Sequence, residues 1–230
     1  MAGTRRPAPK PCASPPCKAH EVDPYFAGPA SVDPEQATDV ARWRRARRAA
    51  LRAARDALGV RRRQVAGRAI AAHLRALLDA RYDGARGRVL SAYWPIKGEP
   101  NLRPLMADLH GAGVTIALPV VETRAAPLVF RRWTPATRMV RGDWNIPVPP
   151  PEAEALTPDI ALAPCLGWTA EGYRLGYGGG YFDRTLAALD PRPVTIGIAL
   201  EAAWLDTIYP QPHDIALDVI VTEAGQGSRA

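Results

Sequence analysis

The sequence predicts an α/β fold: a largely parallel central sheet flanked by helices, in a single domain behind a disordered N-terminal extension. Three observations predict it. Short apolar runs of strand length, such as Asp159–Pro164 and Val194–Leu200, alternate with segments of helical period, the pattern of parallel strands joined by crossover helices. A glycine-rich loop at 176–180 follows one of these runs and opens a helix, and in such sheets ligands gather beyond the carboxyl ends of strands. The 230 residues suffice for one mid-sized domain with a full core.

The elements follow in order. Residues 1–38 hold eight prolines and little apolar periodicity, so they read as a disordered extension, with the α/β domain at 39–224 and a flexible tail at 225–230. A first helix runs from Asp39, a capping residue, to Leu58, with Val40, Trp43, Ala46, Ala50, Ala54 and Leu58 near one face. Gly59 ends it. A second helix at 61–81 turns Val65, Ile70, Leu74, Leu77 and Leu78 inward. Arg88–Trp94 is a strand, Leu102–Gly111 a helix, Val114–Leu118 a strand and Leu128–Trp133 an edge strand. Asp159–Pro164 and Val194–Leu200 are buried strands. Thr185–Leu189 belongs to the helix after the glycine loop, and Asp218–Thr222 is the last strand.

Charge is unevenly spread. Of a formal +7, residues 39–88 carry fifteen arginines against four acids, a local +11, while residues 89–230 carry a net −4. An anion or an acidic surface is expected beside that first segment. No apolar run approaches the length of a membrane span, and no hydrophobic signal segment is present. Three cysteines (Cys12, Cys17 and Cys165) argue against a disulfide framework and fit a reducing, cytoplasmic setting. Cys12 and Cys17 have no partners at zinc-site spacing.

The most informative stretch is Gly172-Tyr-Arg-Leu-Gly-Tyr-Gly-Gly-Gly-Tyr-Phe-Asp-Arg184. Gly176, Gly178, Gly179 and Gly180 remove the side chains that would hold a ligand off the backbone, and their N–H groups can converge on an anion. Arg174 and Arg184 add fixed positive charge, and Asp183 adds a hard oxygen ligand suited to Mg²⁺. A Walker A loop requires Lys-Ser/Thr where Tyr181-Phe182 stand. The Rossmann fingerprint requires glycine where Tyr181 stands. Both are excluded, and a phosphate–metal site is the reading. Three further segments share this character: Trp94–Asn101, which sets Glu99 just past the first strand; Gly142–Pro149, a proline-fixed connector carrying Trp144; and Pro212–Val219, which sets His213 and Asp214 before the last strand.

Taken in order, these blocks resemble the 5-formyltetrahydrofolate cyclo-ligase family, also called 5,10-methenyltetrahydrofolate synthetase, over roughly Val40 to Glu223. The loop Arg174–Asp183 is similar to that family's signature, and the Glu99, Trp144 and His213-Asp214 blocks agree in order and spacing. The resemblance implies ATP- and Mg²⁺-dependent closure of 5-formyltetrahydrofolate to 5,10-methenyltetrahydrofolate, with release of ADP and phosphate. It implies that Arg174, Leu175, Gly176, Tyr177, Gly178, Gly179, Gly180, Tyr181 and Phe182 line the ATP phosphates, with Arg44 and Arg48 of the first helix. It implies folate contacts from Trp94, Glu99, Trp144 and the loop from Tyr177 to Tyr181. Asp183 and Asp214 would hold Mg²⁺, and Glu99, Arg174 and Asp183 would be the catalytic set.

The sequence departs from the family pattern in three places: arginine for the first-helix lysine, Asn101 where an acid is common, and Thr169 where aspartate is common. The competing readings are another ATP-dependent ligase or kinase acting on a different small molecule, and a nucleic-acid binder using Arg42–Arg63. The second leaves the glycine loop unexplained. The expected partners are therefore folate and ATP, with no nucleic acid and no membrane, and the chain is expected to be a monomer or weak homo-oligomer.

Overall fold

The computed structural model describes residues 34–227. Of the extension read at 1–38, residues 1–33, with Cys12 and Cys17, lie outside the described residues, as do the last three residues of the tail. The chain divides into two compact units, Met1–Ala46 and Arg47–Ala230.

In the first unit the described residues are helical and open α1 (Pro34–Ala57). The helix starts at Pro34 and not at Asp39, because proline is well placed in a first turn that needs no N–H. Residues 34–38, assigned above to the extension, are therefore helix. Asp39 does not cap; it pairs with Arg42 one turn on, at 3.0 Å.

The second unit holds the end of α1 and then α2 (Val60–Tyr82), β1 (Val89–Ser91), α3 (Arg103–Gly111), β2 (Thr115–Val120) and β3 (Val129–Trp133). Next come β4 (Val140–Arg141), β5 (Pro147–Val148), β6 (Ala155–Leu156), β7 (Ile160–Pro164), β8 (Gly167–Trp168) and β9 (Arg174–Leu175). The chain continues through α4 (Tyr181–Ala188), β10 (Val194–Ile198), β11 (Val219–Thr222) and β12 (Gly225–Gly227). The main sheet has the order β12-β11-β10-β7-β1-β2-β3-β6. Its five central strands, β11 to β2, are parallel, and the pairs β11/β12, β2/β3 and β3/β6 are antiparallel. The largely parallel sheet is thus as expected. Two details differ. β3 is not the edge, since β6 pairs outside it, and β12 follows the strand read as last, so 225–227 are not loose tail.

The core is the predicted one. Ile70, Leu74, Leu77 and Leu78 of α2 and Leu105, Met106 and Leu109 of α3 pack against Leu90, Ile116, Ile160, Leu162, Ile196 and Ile198 of the strands. Val65 is 51% exposed, contrary to expectation. At about 100° per residue it points roughly 140° away from Ile70, and the buried stripe instead extends to Gly67. Gly67 lies close under the backbone of Asn101.

The two ends of the parallel strands are built differently. At the amino ends, surface carboxylates tie neighbours together. Asp159 accepts a hydrogen bond from the Val89 N–H at 2.7 Å, and Asp218 accepts from both the N–H and the hydroxyl of Thr195, at 2.8 and 2.7 Å. At the carboxyl ends the chain leaves in loops. Since β1 and β7 are paired neighbours, the loop carrying Glu99 and the segment starting at Cys165 emerge side by side.

Candidate active site

The glycine loop does not follow β7 directly. The chain first forms an antiparallel ribbon of β8 and β9, unrecognised in the sequence because each strand is only two residues long. The ribbon is fixed where Leu217 N–H donates to the Gly172 carbonyl at 2.9 Å. The loop then runs from Gly176 to Gly180, with Gly178 at φ 99° and Gly180, the residue preceding α4, at φ 63°. Residues with a Cβ rarely adopt these angles.

Arginines hold the loop by its carbonyls. Arg48 Nε donates to the Gly176 carbonyl at 2.8 Å, and Arg184 donates to the Gly179 carbonyl at 2.6 Å. In a trans peptide the next N–H points opposite to the carbonyl. The N–H groups of Tyr177 and Gly180 are therefore turned away from the two guanidinium groups. A chain cradled in this manner presents amides on one side and stores its positive charge on the other. Both features favour an anion at the start of α4.

Beside the loop, buried Arg174 and half-buried Asp183 form a pair at 3.0 Å. Asp183 Oδ1 also accepts from the Ile215 N–H at 3.2 Å, and the Arg174 guanidinium lies 5.0 Å from the Phe182 ring. Asp214 is thereby next in sequence to a residue bonded to Asp183. Asp214 Oδ2 accepts from the Gln211 N–H at 2.7 Å, and its other oxygen is 4.0 Å from His213 Nε2. His213 is exposed. Among the described residues no group of three or more metal-ligating side chains converges. Asp183 and Asp214 carry the oxygen donors that Mg²⁺ takes, one or two carboxylates beside water and phosphate oxygens.

Glu99 is only 9% exposed. Its carboxylate accepts the Ile96 N–H at 2.9 Å, and the Tyr177 hydroxyl faces it. Burial pushes its pKa up to about 7, against the opposing pull of the Ile96 amide, Arg55, Tyr177 and Lys97. Burial also lifts Tyr177 to about 12 and Cys165 to about 12, so neither is a nucleophile near neutral pH.

The aromatic residues are placed around these groups. Trp144 is 67% exposed and stands at φ 52°, an unfavourable angle for a bulky residue, on the turn between β4 and β5. It meets the Tyr181 ring edge-on at 5.7 Å. A tryptophan kept out of the core in a strained turn is more consistent with binding than with packing. Trp94 is half-buried, with the Arg103 guanidinium 5.0 Å from its ring. Asn101 accepts from the N–H and the Nε of Arg103, each at 3.2 Å.

A model of the 5-formyltetrahydrofolate cyclo-ligase family matches residues 40–223. The chain belongs to this family. It is 33% identical over 144 residues to a 5-formyltetrahydrofolate cyclo-ligase of Mycolicibacterium smegmatis, covering 59% of this chain and 74% of that one. It is 27% identical over 139 residues to the cyclo-ligase of Escherichia coli K12, covering 58% and 76%. Among solved structures it superposes on the 5,10-methenyltetrahydrofolate synthetase of Aquifex aeolicus with a TM-score of 0.68 at 26% identity, covering 81% of this chain and 92% of that one. The Mycoplasma pneumoniae synthetase, at 23% identity, shares the fold with a TM-score of 0.64, covering 78% and 98%.

Within this cyclo-ligase the second unit brings Arg48, Glu99, Arg174, Asp183, Asp214 and the whole loop from Leu175 to Phe182 into one region, with Trp144 on Tyr181. Arg44 belongs to the unit Met1–Ala46. Arg184, read from the sequence as fixed charge beside the loop, is on the Gly179 carbonyl, and one residue outside the sequence-based reading is also present, Arg55. Arg55 is 5% exposed and donates to the Tyr177 hydroxyl at 3.2 Å and to the Cys165 carbonyl at 3.5 Å. Its signal was spacing. Arg48, Leu51, Arg55 and Leu58 form the inward face of α1 in this unit, whereas Ala50 and Ala54, expected there, are exposed. A search for apolar periodicity passes over a stripe in which arginine takes half the places.

Proposed function

We propose that this cyclo-ligase converts 5-formyltetrahydrofolate to 5,10-methenyltetrahydrofolate and uses ATP to remove the formyl oxygen. The observation that carries the reading is the arginine-held glycine loop, with its amides free of side chains, set beside a buried acid whose pKa lies near neutrality. The names of the relatives support the substrate.

The formyl oxygen is a poor leaving group. Transfer of the γ-phosphoryl group to it breaks the bond to ADP and forms a phosphorylated iminium. N10 then attacks the formyl carbon and loses its proton, and phosphate departs with the oxygen. Such transfer depends on position and on neutralising charge. The loop from Leu175 to Phe182, with Arg48 and Arg174, orients the phosphates. Trp94, Trp144 and the rings of Tyr177 and Tyr181 bound the folate. Glu99 fixes the pterin by hydrogen bonds and, with its midpoint near 7, can accept the proton that N10 sheds. Asp183 and Asp214 are the residues that would hold Mg²⁺, which when bound neutralises charge on the phosphate oxygens.

The test is the absorbance of methenyltetrahydrofolate formed from 5-formyltetrahydrofolate by the purified protein, with and without ATP and Mg²⁺. Product is expected only with both. ATP binding without conversion of this folate would favour a ligase or kinase acting on another small molecule.

A further inference from the structure

Arg55 is a buried cation at the end of a helix, and burying a guanidinium is costly unless anions or hydrogen-bond acceptors meet it. What meets it is a chain of contacts across three segments. Its guanidinium donates to the Tyr177 hydroxyl at 3.2 Å, and that hydroxyl faces and interacts with the Glu99 carboxylate. A phenol has one proton to give. With Arg55 donating into the hydroxyl oxygen, the proton of Tyr177 is left for the Glu99 carboxylate. The geometry is held on both sides. Arg63 donates to the carbonyls of Arg55 and Asp56 at 3.4 and 3.2 Å, which fixes the end of α1. Gly98, at φ 74°, lets the Glu99 loop close onto the aliphatic stem of Arg55.

We propose that Arg55 is the positioning residue that joins the glycine loop to Glu99, using the Tyr177 hydroxyl as the intermediary and keeping Glu99 available as a carboxylate. The proposal rests on the roles given above to Glu99 and the loop. The other groups that face Glu99 are Lys97 of its own loop, the Tyr93 phenol beyond β1 and the Cys165 thiol beyond β7. Lys97 lies 5.4 Å from the centre of the Tyr177 ring. The Tyr93 hydroxyl donates to the Pro100 carbonyl at 2.9 Å and the Cys165 thiol to the Ala163 carbonyl at 3.4 Å, so neither gives its proton to Glu99, and Lys97 is carried by the same loop as Glu99. Arg55 is the cation built into the wall.

The experiment is an NMR titration of the Glu99 carboxyl in protein labelled with ¹³C-glutamate, without substrate, in wild type, Arg55→Met, Arg55→Lys and Tyr177→Phe. Arg55→Met is expected to move the Glu99 midpoint upward by about one pH unit. Arg55→Lys should fall between it and wild type, since it keeps the charge and loses the fork. Tyr177→Phe should give a smaller upward shift. In turnover assays the acid limb of kcat/KM should move with the midpoint. An unchanged midpoint in folded Arg55→Met overturns the proposal. Where Arg55→Met does not fold, an unchanged midpoint in Tyr177→Phe overturns it equally. The titration needs no turnover, so a wild type that fails to make methenyltetrahydrofolate sinks the functional reading alone.

Discussion

Glu99 stores a cost that pH can reveal. In the unfolded chain a glutamate releases its proton near 4.5, while burial holds it to about 7 in the folded protein. Between those values the folded state binds the extra proton, so stability falls as pH rises through the window. The full loss is on the order of 3 kcal/mol. Thermal melts from pH 4.5 to 7 should therefore show wild type losing ground to Glu99→Gln, and a difference that stays constant over this range would contradict the assignment. The position of the residue just beyond a strand end was legible in the sequence. Its perturbed state was not. That comes from burial, opposed by Arg55 and Tyr177, among segments that are separated in sequence and meet only when the strands pair.

At the scale of elements, the helices and long strands were legible because their periodicity is carried by apolar residues, as in α2 and α3. The short ribbons β4/β5 and β8/β9 were not, because two-residue strands have no period to read. They matter nonetheless, since one carries Trp144 and the other delivers the glycine loop. Two glycines separate the structural and binding parts of that delivery. A Cβ at Gly172, where φ is 84°, would run into the Leu217 carbonyl, whereas a Cβ at Gly176 meets no protein atom within 4 Å. Gly172→Ala is expected to cost about 2 kcal/mol or more of stability. Gly176→Val should melt like wild type and raise the KM for ATP. A normal KM in that variant would show that the open side of the loop is not where nucleotide lies.

For the molecule as a whole, the positive segment at 39–88, with its local +11, contrasts with a net −4 over the remaining residues 89–230. Both proposed substrates are anions, so the field should steer them inward. The value of kcat/KM is expected to fall several-fold from low to high salt, with kcat nearly constant. A flat response would leave the arginines a structural role. The sheet order explains why so much of the site could be read from sequence blocks: parallel strands send all their carboxyl ends to one side, so each motif after a strand arrives in the same neighbourhood.

The carboxylates of Asp159 and Asp218 give this arrangement a mechanical consequence. They bolt the strand starts to their neighbours, while the opposite rim is spanned by turns and arginine contacts. Breathing motions that admit and release a bulky pteridine can thus be confined to that rim. Amide exchange should be slowest near Val89 and Thr195 and quickest around Gly178, so that the framework keeps its shape while the mouth works.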